Sequence, residues 1–197
     1  MKTITSKLPN SFNVVRNELN YGLRVFNLND DFLKIYNWMH QTHVIPQWQL
    51  NKSEVELYVY FEKMVVDDHQ KLYIITINNI DVGYLELYEA KRDRLGLYYE
   101  AEINDIGWHI LIGNINYVGK GHFKNLMRMI CFFVFENTSA EKIVGEPDIN
   151  VRSYKYVEKE IAFEQQSKIY MKEKTAVLYH CYRQIFLKLH ENYFRKI

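Results

Sequence analysis

Residues 105 to 121 constrain the fold of this chain more than any other stretch. They read Asp105-Ile-Gly-Trp-His109-Ile-Leu-Ile-Gly113-Asn-Ile-Asn-Tyr-Val-Gly119-Lys-Gly121, an alternating apolar run that ends in a glycine-spaced turn. A helical pattern opens directly after it. Glycines at such a turn can take positive φ and let the backbone approach a ligand closely, while the helix that begins near Gly121 points its unpaired N–H groups outward. Backbone amides gathered in this way suit an anionic pyrophosphate, so the stretch from Val118 through Gly119, Lys120, Gly121 and His122 is the expected phosphate cradle.

Around this turn the chain alternates short strands with helices. Strands are expected near Phe12 to Arg16 and Tyr21 to Asn27. A helix from about Asp30 to Gln41 follows, with Phe32, Ile35, Tyr36 and Met39 on one face. Ser53, with Glu56 three positions on, marks the cap of a second helix running to about Asp67. Leu72 to Ile77 and Val82 to Ala90 form a hairpin through Asn78-Asn79-Ile80-Asp81, and a third antiparallel strand is expected from about Tyr98 to Ile112. The helix after the glycine turn, to Asn137, is apolar nearly all round its second half and therefore belongs deep against a sheet. A strand Lys142 to Pro147, a helix Asn150 to Glu160 and a hairpin of Phe163 to Tyr170 with Thr175 to Arg183 complete the pattern.

The 197 residues are 48% hydrophobic with a formal net charge of +1, enough for one buried core and without the basic surplus that nucleic acid or an anionic membrane would require. Cys131 and Cys181 lie in apolar surroundings, as buried free thiols do, and no metal-ligand spacing is present. Neither a membrane-spanning run nor a signal-peptide apolar segment is found, so a cytoplasmic protein, monomer or homodimer, is expected.

Read with its neighbours, the glycine turn resembles the acetyl-CoA-binding motif of the GNAT N-acetyltransferases, with Asn116 where the family usually has Gln or Arg. Further along, Glu146-Pro147-Asp148 closes a short apolar strand. Asn150 then precedes a helix whose end, Val157 to Phe163, is similar to the family's, with Ala162 in place of a glycine. The resemblance implies an α+β (α/β/α) fold over residues 1–197. Residues 184–197, with Ile185, Leu187, Leu189 and Phe194 among basic side chains, read as a C-terminal extension that covers a sheet edge or makes a subunit contact, whereas the resemblance makes the sheet mixed and mostly antiparallel, of about seven strands, with helices on both faces. It also implies acetyl-CoA as the acyl donor, no metal, and coenzyme contacts from Leu111, Ile112 and Asn150 besides the turn.

Two longer segments, Gly83 to Tyr99 and Asp105 to Gly113, look like the siderophore branch of that family, the acyltransferases of hydroxamate pathways. The implied acceptor is a hydroxylated amine of the N6-hydroxylysine or N-hydroxydiamine type, and the product a hydroxamate that chelates iron(III). An aminoglycoside 6'-N-acetyltransferase is the alternative, since the Trp38-Met39 helix, the Trp48 loop and the glycine turn are shared. That activity needs an acidic cleft for a polycation, which Glu100, Glu102 and Asp105 would have to supply. A noncatalytic CoA-binding module is a third reading.

Direct transfer from a thioester to nitrogen needs an uncharged nucleophile, a donor for the developing oxyanion and a proton for the leaving thiolate. His109 has an ordinary pKa near 6.5, and alternation puts it on the face opposite Trp108 with Leu111. The resemblance gives His109 the role of base or substrate-orienting group and Asp148 that of its polar partner. Either Tyr154 or Tyr156 would be the acid for the thiolate. Glu86 and Tyr88 share one strand face, as an acceptor-ammonium site or as a cross-strand pair on a solvated face. Trp48 and His43 sit in the loop that would wall the acceptor, although a Trp also serves simply to anchor a loop. Lys120, Lys124 and Arg128 are either a solvated face or a cation stripe near phosphates.

Overall fold

The computed structural model describes residues 3–151 and 153–191 of the chain, with the side chains of Tyr156 and Val157 outside that description. Eight strands form one sheet: β1 (Ser11–Arg16), β2 (Leu19–Val25), β3 (Gln70–Ile77), β4 (Ile80–Glu89), β5 (Ile106–Ile112), β6 (Lys142–Gly145), β7 (Phe163–Tyr170) and β8 (Thr175–Tyr182). Their order is β1-β2-β3-β4-β5-β6-β8-β7, antiparallel throughout except for the β5–β6 pair. The sheet is therefore one strand wider than expected.

Helices α1 (Leu28–Met39), α2 (Ile45–Trp48) and α3 (Glu54–Val66) come between β2 and β3; α4 (Phe123–Asn137) follows β5, α5 (Ser153–Val157) follows β6, and α6 (Arg183–Leu189) follows β8. Strand alternation divides the apolar residues between two layers. Tyr73, Ile75, Leu85, Leu87 and Trp108 pack with α4, while Leu72, Ile74, Tyr84 and Leu111 pack with Phe32, Ile35, Leu57 and Phe61 of α1 and α3. Leu126, Met127, Ile130, Cys131 and Val134 of α4 are fully buried, which explains why this helix carries apolar side chains on nearly every face. Cys131 and Cys181 are both free and buried.

Local signals set most boundaries. The Ser53 hydroxyl accepts from the Glu56 amide while the Glu56 carboxylate accepts from the Ser53 amide, a reciprocal cap that fixes the start of α3. Asn78 and Asn79 both take positive φ, as the tight β3–β4 hairpin requires. One expected strand half is absent. Residues 98–105 form turns instead, because the Asp105 carboxylate gathers the Tyr99 hydroxyl at 2.9 Å and the Glu102 amide at 3.0 Å, curling the chain before β5 begins. The helix expected over Asn150 to Glu160 is a single α-helical turn followed by a 3-10 turn at Lys159–Ile161, ended by Ala162 in the left-handed region (φ 60). At the C-terminal end, α6 packs Phe186 into the core against Phe135, so residues 183–189 belong to the main body; residues 192–197 lie outside the described ones.

The feature that creates the site is the short β5–β6 ladder. Only Ile106↔Ile143 and Gly107↔Val144 pair. Beyond Gly145 the chain turns toward β8: Val177 donates to the Pro147 carbonyl, Ile149 donates to the Thr175 carbonyl, and Asp148 bridges Ala176. From Trp108 to Ile112, β5 keeps β4 on one side and, among the described residues, has no strand on the other. A fork opens there.

Candidate active site

His109 stands at the mouth of this fork. The antiparallel register places it directly opposite Glu86, and its Nδ1 lies 2.8 Å from Glu86 Oε2. On its other side Nε2 lies 2.7 Å from Glu146 Oε1. Both ring nitrogens thus face carboxylate acceptors, and only the doubly protonated imidazolium can donate to both. The electrostatics agree. Burial alone would lower the His109 pKa, but Glu146 and then Glu86 outweigh it and push it up to about 10. Burial likewise disfavours the Glu146 carboxylate, yet His109, Lys174 and the Tyr88 hydroxyl hold its pKa down at about 2. Glu86 and Glu146 are themselves only 4% and 3% exposed.

Tyr88 completes the cluster. Its hydroxyl donates to Glu146 Oε2 at 3.1 Å and lies 3.4 Å from His109 Nε2. The ring reaches this position because Gly107, its cross-strand partner, has no side chain; a Cβ there would lie 2.1 Å from Tyr88 Cε2. Lys174 Nζ donates to the Glu146 carbonyl at 2.7 Å and approaches its Oε1 at 3.4 Å. The expected partner of His109, Asp148, is two residues away from the observed one. Its carboxylate instead accepts the backbone and side-chain N–H groups of Asn150, although it lines the same cavity. Glu146 was the residue that sequence reading passed over. Its signal is a lone acid in the apolar run Ile143 to Pro147, but its position beside His109 follows from the parallel register, which extends Gly107↔Val144 by two residues.

A cavity of about 800 Å³ runs through the fork. Trp48 and His43 line it from the α1–α3 connection, as expected for an acceptor wall. The Trp48 ring meets His109 edge-on at 6.2 Å, and His43 Nε2 sits 2.9 Å from the Ile112 carbonyl, tying that connection to the end of β5. Glu86 and Tyr88 face the cavity, and the solvated cross-strand alternative does not hold because both are buried. Tyr154 enters from α5, buried among Trp108, Phe163 and Tyr179, where burial raises its hydroxyl well above the ordinary pKa. Tyr154 is thus the described tyrosine of that helix that lines the cavity, the Tyr156 side chain being outside the described residues.

At the other end, Leu111, Ile112, Val118, Gly119, Gly121 and His122 line the cavity. Gly119 and Gly121 take φ of 69 and 81, and a Cβ at either would meet no atom within 4 Å. These glycines border open space below the start of α4, where no side chain caps the first turn and no acid occupies it. The arrangement fits an extended ligand with amides for the open edge of β5 and a pyrophosphate for the turn. Lys120 is exposed beside the glycines, and His122 Nδ1 is fixed 3.1 Å from the Tyr21 hydroxyl. Lys124 and Arg128 both pair with Glu160, so they form a surface ion-pair group instead of a phosphate stripe. Asn150 is exposed and engaged with Asp148.

Residues 27–171 match the family model of the acetyltransferase (GNAT) domain, and the chain belongs to this family. Over 195 residues it is 52% identical to an N-hydroxyputrescine acetyltransferase of Acinetobacter baumannii, covering 99% of this chain and 93% of that protein. It is 30% identical over 129 residues to the lysine N-acyltransferase MbtK of Mycobacterium tuberculosis, covering 65% of this chain and 61% of that one. An aminoglycoside acetyltransferase AAC(6')-Ib, solved with paromomycin and acetyl-CoA, superposes with a TM-score of 0.75 at 22% identity over 83% of this chain and 94% of that one, a likeness of fold. The three acids expected to supply an aminoglycoside cleft are placed otherwise: Asp105 is buried against Tyr99 and Lys142, and neither it nor Glu100 or Glu102 lines the cavity, whose acids are Glu86, Asp93, Glu146 and Asp148.

Proposed function

We propose that this chain transfers an acetyl group from acetyl-CoA to the hydroxylamine nitrogen of a small N-hydroxylated diamine, of the N-hydroxyputrescine type, giving a hydroxamate for siderophore assembly. The observation that carries this reading is the imidazolium of His109 clamped between two buried carboxylates at the open edge of β5. The 52% identity to an N-hydroxyputrescine acetyltransferase supports the choice of acceptor.

Bound acetyl-CoA would supply an acetyl thioester, with its pyrophosphate against Val118 to His122 and its amide-rich arm along Leu111 and Ile112. A hydroxylamine is a much weaker base than an alkylamine and arrives uncharged at neutral pH, so no strong base is needed before attack. His109, already protonated and donating to both Glu86 and Glu146, is suited to hold these two carboxylates in place at the acceptor; as the new N–C bond forms, the proton that leaves the hydroxylamine nitrogen passes to the Glu146 carboxylate. That role replaces the free base expected from the ordinary histidine pKa. Tyr154, kept protonated by burial, would give its hydroxyl proton to the departing thiolate as the C–S bond breaks. Asp148, at the cavity wall beside α5, would orient the coenzyme end of the site.

The test is CoA thiol release from acetyl-CoA with N-hydroxyputrescine, N6-hydroxylysine, putrescine and an aminoglycoside as acceptors. Turnover with the hydroxylated amines alone is the expected result. Turnover with putrescine or the aminoglycoside at equal efficiency would discard the hydroxamate reading, and silence throughout would leave a CoA-binding module.

A further inference from the structure

We infer that Asp93, with the outer edge of Glu86 and the hydroxyl of Tyr60, forms a seat for the distal ammonium of the acceptor, and that this end of the cavity rejects an acceptor carrying a carboxylate beside that ammonium. The inference rests on the reading under Proposed function and adds how the far end of the substrate is recognised.

Asp93 follows β4 in a tight turn. Its backbone N–H donates to the Glu89 carbonyl, its own carbonyl accepts from Gly96, and its Oδ1 accepts from the Leu95 amide at 3.0 Å. A Cβ on Gly96 would lie 2.7 Å from the Ala90 carbonyl, so the turn has little room to relax. The second Asp93 oxygen accepts no hydrogen bond among the described residues, and Asp93 lines the cavity. Glu86, 4% exposed, offers a comparable group: Oε2 is engaged with His109, whereas buried Oε1 makes no hydrogen bond of good geometry among the described residues, the neighbouring Tyr84 hydroxyl included.

Tyr60 on α3 and Tyr88 on β4 locate the two acids relative to each other. All four side chains line the same cavity; burial raises the pKa of both hydroxyls, and Glu86 and Asp93 raise each further, at Tyr60 against the Arg94 guanidinium and at Tyr88 together with Glu146. Two acids, two tyrosine hydroxyls and aromatic faces make a setting for an ammonium group.

The basic side chains at this end are all engaged. Arg94 pairs with Glu173, Lys174 with Glu146, and His109 with both buried glutamates. Among the described residues lining this end, each cation already faces a carboxylate of the chain, and Glu86, Asp93 and Glu146 would repel a further one. An N-hydroxylated diamine matches this charge pattern; an N-hydroxylated amino acid does not.

Three acceptors with one common chain separate the possibilities: N-hydroxyputrescine, N5-hydroxyornithine, which adds a carboxylate on the carbon bearing the ammonium, and N-butylhydroxylamine, which lacks the ammonium. Each is assayed for kcat/KM with saturating acetyl-CoA, using the wild-type chain and Asp93→Asn, a substitution that retains the capping oxygen. The wild type is expected to favour the diamine over both analogues by about ten- to a hundredfold, the range of a charge-assisted hydrogen bond. Asp93→Asn should cut the ratio of diamine to N-butylhydroxylamine at least tenfold. Equal use of N5-hydroxyornithine by the wild type would overturn the inference without needing any variant. An unchanged ratio in Asp93→Asn, or rates that fall equally with all three acceptors as a loosened turn would cause, would also overturn it. Silence with all three hydroxylamines refutes the acyl-transfer reading itself, and the inference with it.

Discussion

Replacing Glu146 by Gln removes one charge from the His109 clamp while keeping its shape. The contact is 2.7 Å between Nε2 and Oε1, which puts the two charge centres about 4 Å apart; at an effective dielectric near 20 their attraction is about 4 kcal/mol. At 1.36 kcal/mol per pKa unit that is about three units. The imidazole that titrates at about 10 in the wild type is therefore expected to titrate near 7 in Glu146→Gln. The direct assay is a pH series of long-range ¹⁵N–¹H spectra of the histidine side chains, with His109 identified by its absence in His109→Asn. Stability gives a second reading with a definite sign. A histidine pKa raised by folding contributes stability fully below about pH 6.5 and loses it as pH rises through about 10; a carboxylate lowered to about 2 contributes above about 4.5 and loses it as pH falls through 2. The wild-type advantage over Glu146→Gln should thus be largest between about pH 4.5 and 6.5 and shrink toward pH 10. At its largest, breaking a buried pair costs about 3 kcal/mol, or about 6–12 °C in Tm for a chain of this size. A wild-type His109 that titrates near 6.5, or a midpoint unchanged by the substitution, would refute the clamp.

Gly107→Ala should displace the Tyr88 ring, because the new methyl would lie 2.1 Å from Cε2; a fall in Tm of several degrees with loss of most activity in the CoA-release assay is expected, and partial rescue by Gly107→Ala with Tyr88→Leu in Tm alone would separate packing from chemistry. Tyr154→Phe should lower kcat by about ten- to a hundredfold with little change in the KM for acetyl-CoA, read by steady-state kinetics, since it removes the proposed proton donor and leaves the aromatic packing with Trp108 and Phe163 in place.

Much of the sheet could be read before any coordinates, for a simple reason: the short apolar runs of β3, β4 and β5 report strands buried on both faces, with side chains in alternation between the two layers, and Asn78-Asn79 reports the turn between two of those strands. The placement of His109 opposite Trp108 followed from the same alternation. Signals that depend on partners were not legible. The stretch Tyr98 to Asp105 carries strand-forming residues, yet one carboxylate folded it into turns. Glu146 could not be distinguished from Asp148 as the group beside His109, because that depends on the parallel register of β5 and β6, which no local pattern encodes. The protonation of His109 was also hidden, since it arises from two carboxylates 23 and 37 residues away in the chain.

The fork between β5 and β6 has a mechanical side as well. His109 belongs to one prong and Glu146 to the end of the other, so their hydrogen bond spans the gap near its apex like a strut. Prying the prongs apart stretches that bond, and letting them close shortens it. Whatever wedges into the fork therefore sets the length of that contact, and the width of the fork and the grip on the imidazolium become a single coordinate.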